Sequence, residues 1–332
     1  TTSAGGIDFW VSKVSGTDGS PVWGVQAGTN TDDAAYGIAL DSSGDVLICG
    51  RTLGSLYAAH VGSLDDYWVA KRSGSDGSLI WGVQLGTTGH DLASAVAVDS
   101  NGDVFLTGYT SDSLHGTHVG GLDAWVAKRS GSDGSLIWGK HIGTATTDTG
   151  NALAVDSSGN VFITGKTAGV LSGSNAGLHD YWVYKRSGVT GATIWKVQGG
   201  TSDEDYANGL AVDSAGDVYL TGHTAGSLYA TNAGSRDIWV SRLSGTDGSL
   251  VWGVQDGSIL DDLSNAMALD NEGNVYATGH TEGGVYVSST GGHDFWVTKR
   301  SGTDGSLTWS YVHEAAFDSL ATAVIVDGSG SV

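Results

Sequence analysis

Six aspartates recur along this chain of 332 residues at intervals of 56 to 58 residues. They are Asp33, Asp91, Asp148, Asp205, Asp262 and Asp318. Hard cations such as Ca²⁺ prefer carboxylate oxygens, so these residues would suit calcium if they encircled a channel mouth. The alternative is that each aspartate caps the backbone N–H groups of its own loop. Capping explains the recurrence without a ligand, so we expect loop caps and no required cofactor. Binding of Ca²⁺ is the alternative, and the sequence leaves the identity of a metal open.

The elements that must position these aspartates follow from a 57-residue repeat. The stretch WVAKRSGSDGSLIWG occurs identically at 68–82 and 125–139, and weaker copies extend it along the chain. All 12 tryptophans occupy the two tryptophan positions of this unit. A unit such as 91–142 has the pattern of four short strands joined by Asp- and Gly-containing turns. Because each unit must bury both faces, the pattern predicts an all-β propeller of six four-stranded antiparallel blades.

The strand sequences also resemble a known repeat family. The stretches SAVAVDSNGDVFLTGYT, NALAVDSSGNVFITGKT and NGLAVDSAGDVYLTGHT, each followed by a D-x-W motif, resemble SBBP β-propeller repeats. Their AVD-x-x-G hairpin is also similar to that of NHL repeats. The resemblance covers essentially the whole chain and implies that AVAVD is the inner strand A of a blade. It implies that WVAKRS and SLIWG are the outer strands C and D, and it implies no catalytic motif.

These assignments predict how the chain is organised. Residues 1–332 are expected to form a single β-propeller domain that is part of a longer chain. The chain starts on strands C and D at 8–26, continues through five complete blades and ends on a sixth A strand, TAVIVDGSGSV, at 322–332. The N-terminal C–D pair and the C-terminal A–B strands are expected to share one blade that closes the ring.

Composition restricts the partners. Asp and Glu total 36 against 15 Lys and Arg, which gives a formal net charge of −21. Nucleic acids and anionic membranes need basic surface, so neither is expected as a partner. No apolar run approaches the length of a membrane span, so no membrane insertion is expected. Cys49, the only cysteine, has apolar neighbours in a strand B pattern and is expected to be buried.

Other recurrent polar positions are interpreted as structural. One aspartate series begins the A–B turn as D-x-x-G and is interpreted as a hairpin turn, because the glutamate of a calcium loop is missing. A second series lies in the SGSDGS turn and is interpreted in the same way. Ten basic residues end the C strands, where ion pairs are expected and a ring for an anionic glycan is the alternative. His115 and His118 share one B–C loop, but zinc needs three or four ligands and the sequence offers no third.

The repeat also predicts where a binding site lies. The A–B and C–D turns barely vary, whereas the D–A and B–C loops vary freely, and variable loops on a uniform scaffold usually carry binding. We expect a non-catalytic, secreted or cell-surface module with a structural or protein-interaction role. The alternative is a lectin-like, calcium-assisted propeller whose D-x-W tryptophans stack on glycans. Catalysis ranks third, because it would require polar groups specific to a single blade and the repeats are nearly uniform.

Overall fold

The computed structural model describes residues 3–286, 292–313 and 317–332. These residues form 22 β-strands, and none of them is helical. The described part of the chain accordingly has no helix that is long and apolar enough to cross a membrane. The chain divides into two compact units, Thr1–Val161 with Ser187–Gly191 and Phe162–Arg186 with Ala192–Val332.

Each repeat forms a sheet whose strands follow chain order. The first sheet has two strands, β1 (Phe9–Val14) and β2 (Pro21–Ala27), which are the C and D strands expected near the N-terminus. The other five sheets each have strands A to D in this order: β3 (Asp33–Leu40), β4 (Val46–Thr52), β5 (Asp66–Arg72), β6 (Leu79–Leu85); β7 (Asp91–Val98), β8 (Val104–Thr110), β9 (Asp123–Arg129), β10 (Leu136–Ile142); β11 (Asp148–Val155), β12 (Val161–Thr167), β13 (Asp180–Arg186), β14 (Thr193–Gly199); β15 (Asp205–Val212), β16 (Val218–Thr224), β17 (Asp237–Leu243), β18 (Leu250–Asp256); β19 (Asp262–Leu269), β20 (Val275–Thr281), β21 (Asp294–Arg300), β22 (Leu307–His313). The predicted four-stranded unit is therefore confirmed in five copies, and we number these sheets as blades one to five.

The antiparallel register brings two aspartates to the same end of each blade. In blade two, Thr110 at the end of β8 pairs with Asp91 of β7 on one side and with Asp123 of β9 on the other. The end of the blade with these residues also carries the D–A and B–C loops, and we call it the loop end. The opposite end, with the A–B and C–D turns, is the turn end.

The core lies mainly in strands B and C, whose residues are nearly all buried. The first tryptophan of the repeat is fully buried in the C strand of every four-stranded blade, as Trp68, Trp125, Trp182, Trp239 and Trp296. Its counterpart in β1, Trp10, is 72% exposed. The prediction that Cys49 is buried is confirmed, because this residue in β4 is 0% exposed.

The second tryptophan links each blade to the C–D turn of the next repeat. The indole Nε1 of Trp81 donates a hydrogen bond to Gly131 O at 3.1 Å. The same contact joins Trp23 to Gly74, Trp138 to Gly188, Trp195 to Gly245 and Trp252 to Gly302. Gly134 in that turn has a φ of +75°, and a Cβ there would lie 2.8 Å from the Trp81 ring. This packing accounts for the near-invariance of the SGSDG turn.

The C-terminal segment differs from the expected A strand. Residues 317–332 form no strand, although 322–332 carry the A-strand sequence. The segment still lies beside strand β19, since Nδ2 of Asn265 donates a hydrogen bond to Ala321 O at 2.8 Å. A strand requires a hydrogen-bonded ladder, and none of the described residues forms one with this segment.

Candidate functional site

The aspartates that begin the five A strands are buried beneath the loops, each with 0% exposure. In blade two, Asp91 Oδ2 accepts hydrogen bonds from the backbone N–H and Oγ1 of Thr87 at 2.6 and 2.8 Å. Its Oδ1 accepts one from Thr110 Oγ1 at 2.5 Å. The backbone contact recurs at Asp33, Asp148, Asp205 and Asp262. These are the hydrogen bonds of loop caps.

Asp318 does not belong to this series, so the six-membered ring predicted from the sequence is wrong at this position. The regular 57-residue step from Asp262 ends on Ser319. The N–H of Ser319 donates a hydrogen bond to His293 O, and the N–H of Asp91 donates the equivalent hydrogen bond to Asp65 O. Asp318 lies one residue earlier and is exposed, and its Oδ1 accepts the N–H of His293 at 3.1 Å. Its carboxylate therefore occupies a different environment from the other five.

A second series of aspartates begins the C strands, and the sequence analysis gave it no role. In blade one, Asp66 Oδ2 accepts hydrogen bonds from Gln84 Nε2 at 2.8 Å and from the N–H of Val61 at 3.1 Å. The Oδ1 atom is buried without a hydrogen-bond partner in Asp66, Asp123, Asp180 and Asp237. The signal was present in the sequence, because a glutamine follows the D-x-W aspartate after 18 residues in most copies.

The two aspartate series interact electrostatically. Burial raises the pKa of Asp91, Asp205 and Asp262, although their hydrogen bonds oppose this shift. The negative charge of the preceding C-strand aspartate, Asp66 in the case of Asp91, raises the pKa further. Calcium takes about six to eight oxygen ligands. Because both oxygens of Asp91 already accept hydrogen bonds, the geometry fits loop capping better than a calcium ring.

The turn end is built from short-range contacts. Asp99 Oδ1 accepts the N–H groups of Asn101 and Asp103, both at 2.9 Å. In the C–D turn, Asp133 Oδ1 accepts the N–H of Ser135 at 3.0 Å. The predicted turn roles are confirmed for the A–B series Asp41, Asp99, Asp156, Asp213, Asp270 and Asp327 and for the C–D series Asp18, Asp76, Asp133, Asp247 and Asp304.

Basic residues at the ends of the C strands form the expected ion pairs at the turn end. Lys128 Nζ lies 3.0 Å from both Asp99 Oδ2 and Asp103 Oδ2. Equivalent pairs join Lys71 to Asp41, Arg242 to Asp217 and Lys299 to Asp270. These cations are thus neutralised within the protein, which disfavours a ring for an anionic glycan.

At the loop end, the residues just before strands A and C differ from blade to blade. In the first unit, Asp65 Oδ1 lies 2.6 Å from Arg51 Nη1, and Asp65 Oδ2 lies 2.9 Å from His90 Nδ1. In the second unit, Arg236 occupies the position of Asp65 and Glu204 the position of His90. Glu204 Oε2 lies 3.1 Å from Arg236 Nη2. Equivalent backbone positions therefore present different charges.

Further blade-specific groups of the second unit lie near the ends of the B strands. Lys166 Nζ is 4.1 Å from the centroid of the Tyr206 ring, and burial lowers the pKa of this lysine. Burial raises the pKa of Tyr206 to about 12, and the negative charge of Glu204 contributes. Burial lowers the pKa of His223 to about 4, so its imidazole is neutral near physiological pH. The sequence analysis missed this cluster because it treated the repeats as nearly uniform.

Blade two has two imidazoles at its C-strand aspartate. His141 Nε2 lies 2.7 Å from Asp123 Oδ2, and His118 Nδ1 lies 3.0 Å from the same oxygen. These three side chains are the one group of metal-ligating type in the described part of the chain whose ligand atoms all lie within 4.8 Å of one another. The sequence offered no third partner for His118, because His141 is in strand β10 and only the fold brings it to the B–C loop.

The D-x-W tryptophans of the four-stranded blades cannot serve as a sugar-stacking surface. Their five indole rings are 0% exposed and form part of the core. Stacking on a sugar requires an accessible ring face. The lectin alternative would therefore need other aromatic residues.

Comparison with known proteins bears on the fold. The SBBP β-propeller repeat model matches residues 80–115, 137–171 and 194–230. The chain carries SBBP repeats. Each match begins in strand D of one blade and ends after strand B of the next. The SBBP repeat in the sequence is therefore offset from the blade in space, and with the antiparallel sheets it identifies a β-propeller fold.

Solved structures resemble the SBBP-repeat chain at low sequence identity. A quinohemoprotein alcohol dehydrogenase, ADHIIG from Pseudomonas putida HK5, is 10% identical with a TM-score of 0.52, and the alignment covers 91% of this chain and 56% of that one. For BamB from Moraxella catarrhalis the identity is 14%, the TM-score 0.48 and the coverages 91% and 70%. For the Dos1 propeller they are 9%, 0.46, 92% and 62%. Such likeness concerns the fold alone. No curated protein matches the sequence significantly.

Proposed function

We propose that this SBBP-repeat chain is a non-catalytic, secreted or cell-surface module that binds another protein through loops at the loop ends of its blades. The observation that carries the proposal is the exposure of aliphatic side chains on the variable loops. Val61, Val119, Leu178 and Ile259 are 40 to 78% exposed. These side chains lie on loops that vary on a uniform scaffold, and such loops usually carry binding.

Electrostatics indicates the kind of partner. The chain carries a formal net charge of −21, and blade-specific acidic groups such as Asp65 and Glu204 lie at the loop end. Charge complementarity increases the association rate and excludes wrong partners. The partner is therefore expected to present a basic and partly apolar surface.

A binding role rather than a catalytic one is supported by the state of the reactive groups. The carboxylates of Asp91 and its equivalents accept structural hydrogen bonds and are 0% exposed. Burial raises the pKa of the Cys49 thiol to about 12, which makes it a poor nucleophile. Fractionation of the source cells with an antibody to this chain tests the location: recovery in the cytosol alone contradicts it.

Site-specific photo-crosslinking tests the interaction. A photoreactive amino acid replaces Val61 in blade one and Ile259 after blade four, both exposed at the loop end. The matched controls place it at Asp76 and Asp247, which are exposed in the C–D turns of the same two blades. We expect one stoichiometric protein partner to be captured from the loop positions and not from the turns.

Equal capture from both ends would contradict the loop-end assignment, and capture of no protein would contradict the interaction role. A glycan array read with the same protein tests the alternative function. Binding to a defined glycan class at several equivalent sites, with a requirement for Ca²⁺, would favour the lectin-like propeller.

A further inference from the structure

We propose that His118, Asp123 and His141 bind a single divalent transition-metal ion of the zinc class. The three donors come from three elements of blade two: the B–C loop, the start of strand β9 and strand β10. Two imidazole nitrogens and one carboxylate form a donor set that zinc accepts, with water as a fourth ligand. The assignment is independent of the proposed protein-binding role.

His141 replaces a glutamine that makes a different set of contacts in blades one, three and four. The position of His141 is occupied by Gln84 in blade one, where Nε2 donates to Asp66 Oδ2 at 2.8 Å and to Gly54 O at 2.8 Å. Oε1 of Gln84 accepts the N–H groups of three successive residues in the B–C loop. Gln198 and Gln255 repeat this pattern in blades three and four. An imidazole cannot reproduce it, because it has one nitrogen at each end and no carbonyl oxygen.

The histidine nitrogens give a second, independent indication. Nδ1 of His118 is buried and makes no hydrogen bond, although it lies 3.0 Å from Asp123 Oδ2. Nδ1 of His141 is also buried without a hydrogen-bond partner. Buried polar atoms are normally paired, so an unpaired one requires an explanation, and a bound ion is one. A metal ion would take the lone pair of His118 Nδ1 directly.

The spacing of the donors is close to what a metal requires. Zinc binds His nitrogen at about 2.0–2.1 Å and carboxylate oxygen at about 2.0–2.2 Å, so neighbouring ligands of a tetrahedral site are about 3.3 Å apart. The nitrogens of His141 and His118 lie 2.7 and 3.0 Å from Asp123 Oδ2. Small rotations of the side chains are enough to admit the ion. His118 is partly exposed, which leaves the fourth position accessible to water.

A bound ion would tie the B–C loop of blade two to the D strand. In blade one the corresponding tie is provided by Gln84. Metal binding would thus compensate in blade two for the loop contacts that a histidine cannot make, beside the hydrogen bond that the N–H of Val119 donates to Asp123 Oδ2 at 2.7 Å. The site is therefore expected to stabilise the native protein, because the ion binds the folded state and not the unfolded chain.

Calorimetric titration of the chelator-treated full chain with ZnCl₂ tests the assignment. His141→Gln and His118→Asn are the matched variants, because Gln and Asn occur at these positions in blades three and four and should leave the fold intact. We expect one equivalent of zinc in the wild type, and a loss of at least tenfold in affinity in either variant. Titration with Co²⁺ gives a second readout, since a tetrahedral site produces intense visible absorption that the variants should lack.

A gain of binding in blade one provides a positive control. His60 Nδ1 already lies 3.2 Å from Asp66 Oδ2, so Gln84→His supplies the missing donor. A second equivalent of zinc in this variant would support the proposal. Absence of zinc binding in the wild type would overturn it, as would wild-type affinity in His141→Gln, which would place the zinc elsewhere.

Discussion

The two ends of each blade are stabilised in different ways. At the turn end, aspartates such as Asp99 cap N–H groups two and four residues ahead, within their own turn. At the loop end, Asp91 is fully buried and holds residues from two separate elements, Thr87 before strand A and Thr110 at the end of strand B. The aspartates of the turn end cap their own turns, whereas those of the loop end join separate elements.

This difference explains why the loop end can vary while the fold is preserved. The buried carboxylates hold the loop bases in each blade, so the outer residues are not required for folding. Asp65 and Arg236 carry opposite charges at the equivalent position before a C strand, yet each lies next to a buried aspartate, Asp66 and Asp237. The turn end lacks such a separation, because its exposed residues are themselves the caps.

The largest expected effect is that of removing a buried carboxylate at the loop end. Asp91→Ala leaves the N–H and Oγ1 of Thr87 without an acceptor and removes the hydrogen bond from Thr110 Oγ1. We expect the free energy of unfolding to fall by about 3 kcal/mol. The control, Asp133→Ala in the C–D turn, should cost clearly less, because this carboxylate is exposed and the N–H of Ser135 can reach water. Urea denaturation measures both, and equal losses would remove the distinction between the two ends.

The next prediction concerns glycines with positive φ at the turn end. A Cβ at Gly134 would meet the Trp81 ring at 2.8 Å, whereas nothing lies within 4 Å of a Cβ at Gly102. Gly102→Ala is therefore expected to cost only the backbone strain, about 1 kcal/mol. Gly134→Ala should cost about 2–3 kcal/mol, because the packing of Trp81 is also disturbed. Thermal unfolding measured side by side would refute this if the two losses were the same.

The pH dependence of stability should have opposite signs at the two ends. Burial opposes the ionisation of Asp270, but hydrogen bonds from Asn274 and Lys299 outweigh it and lower the pKa to about 2. Its stabilisation is therefore present above the unfolded pKa of 3.8 and is lost as pH falls through about 2. We expect an advantage of wild type over Asp270→Asn, on the order of 1 kcal/mol near pH 6, to disappear by pH 2.

Asp205 at the loop end provides the opposite case. Burial raises its pKa, so the folded state binds the proton more tightly than the unfolded chain. As pH falls through this raised pKa towards 3.8, the advantage of wild type over Asp205→Asn should grow. Unfolding free energies measured by denaturant between about pH 3 and pH 6 give the two slopes. Slopes of the same sign would contradict the assignment of the two environments.

The smallest expected effect is that of calcium. If the A-strand aspartates act only as caps, adding Ca²⁺ to chelator-treated protein leaves the melting temperature unchanged. A specific site would stabilise the folded protein by about 2.7 kcal/mol at a hundredfold excess over Kd, a shift of a few degrees for a protein of this size. Scanning calorimetry with and without Ca²⁺ distinguishes these results. A calcium-dependent shift that is lost in Asp91→Asn would make these residues ligands.

Several features could be predicted from the sequence because they depend on local pattern. The alternation of apolar residues, the turn glycines and the aspartates of the turn end are read within a few residues of one another, and the strands and turns follow them. The prediction failed at Asp318, because matching by residue type took the nearest aspartate where the regular spacing ends on Ser319. It missed the role of Asp66 and its equivalents, because their hydrogen-bond partners lie 18 residues further along.

The sequence by itself determined the repeat, the strand order within a blade and the residues that must be glycine or aspartate in the turns, since short-range sterics and hydrogen bonding act within each unit. Tertiary structure decided which side chains meet. His118 and His141 belong to different elements of one repeat, and they reach Asp123 only because the antiparallel register returns strand β10 to the loop end. Burial of the loop-end aspartates likewise depends on the loops that fold over them, and this burial raises the pKa of Asp91. At the turn end, hydrogen-bond donors lower the pKa of Asp270.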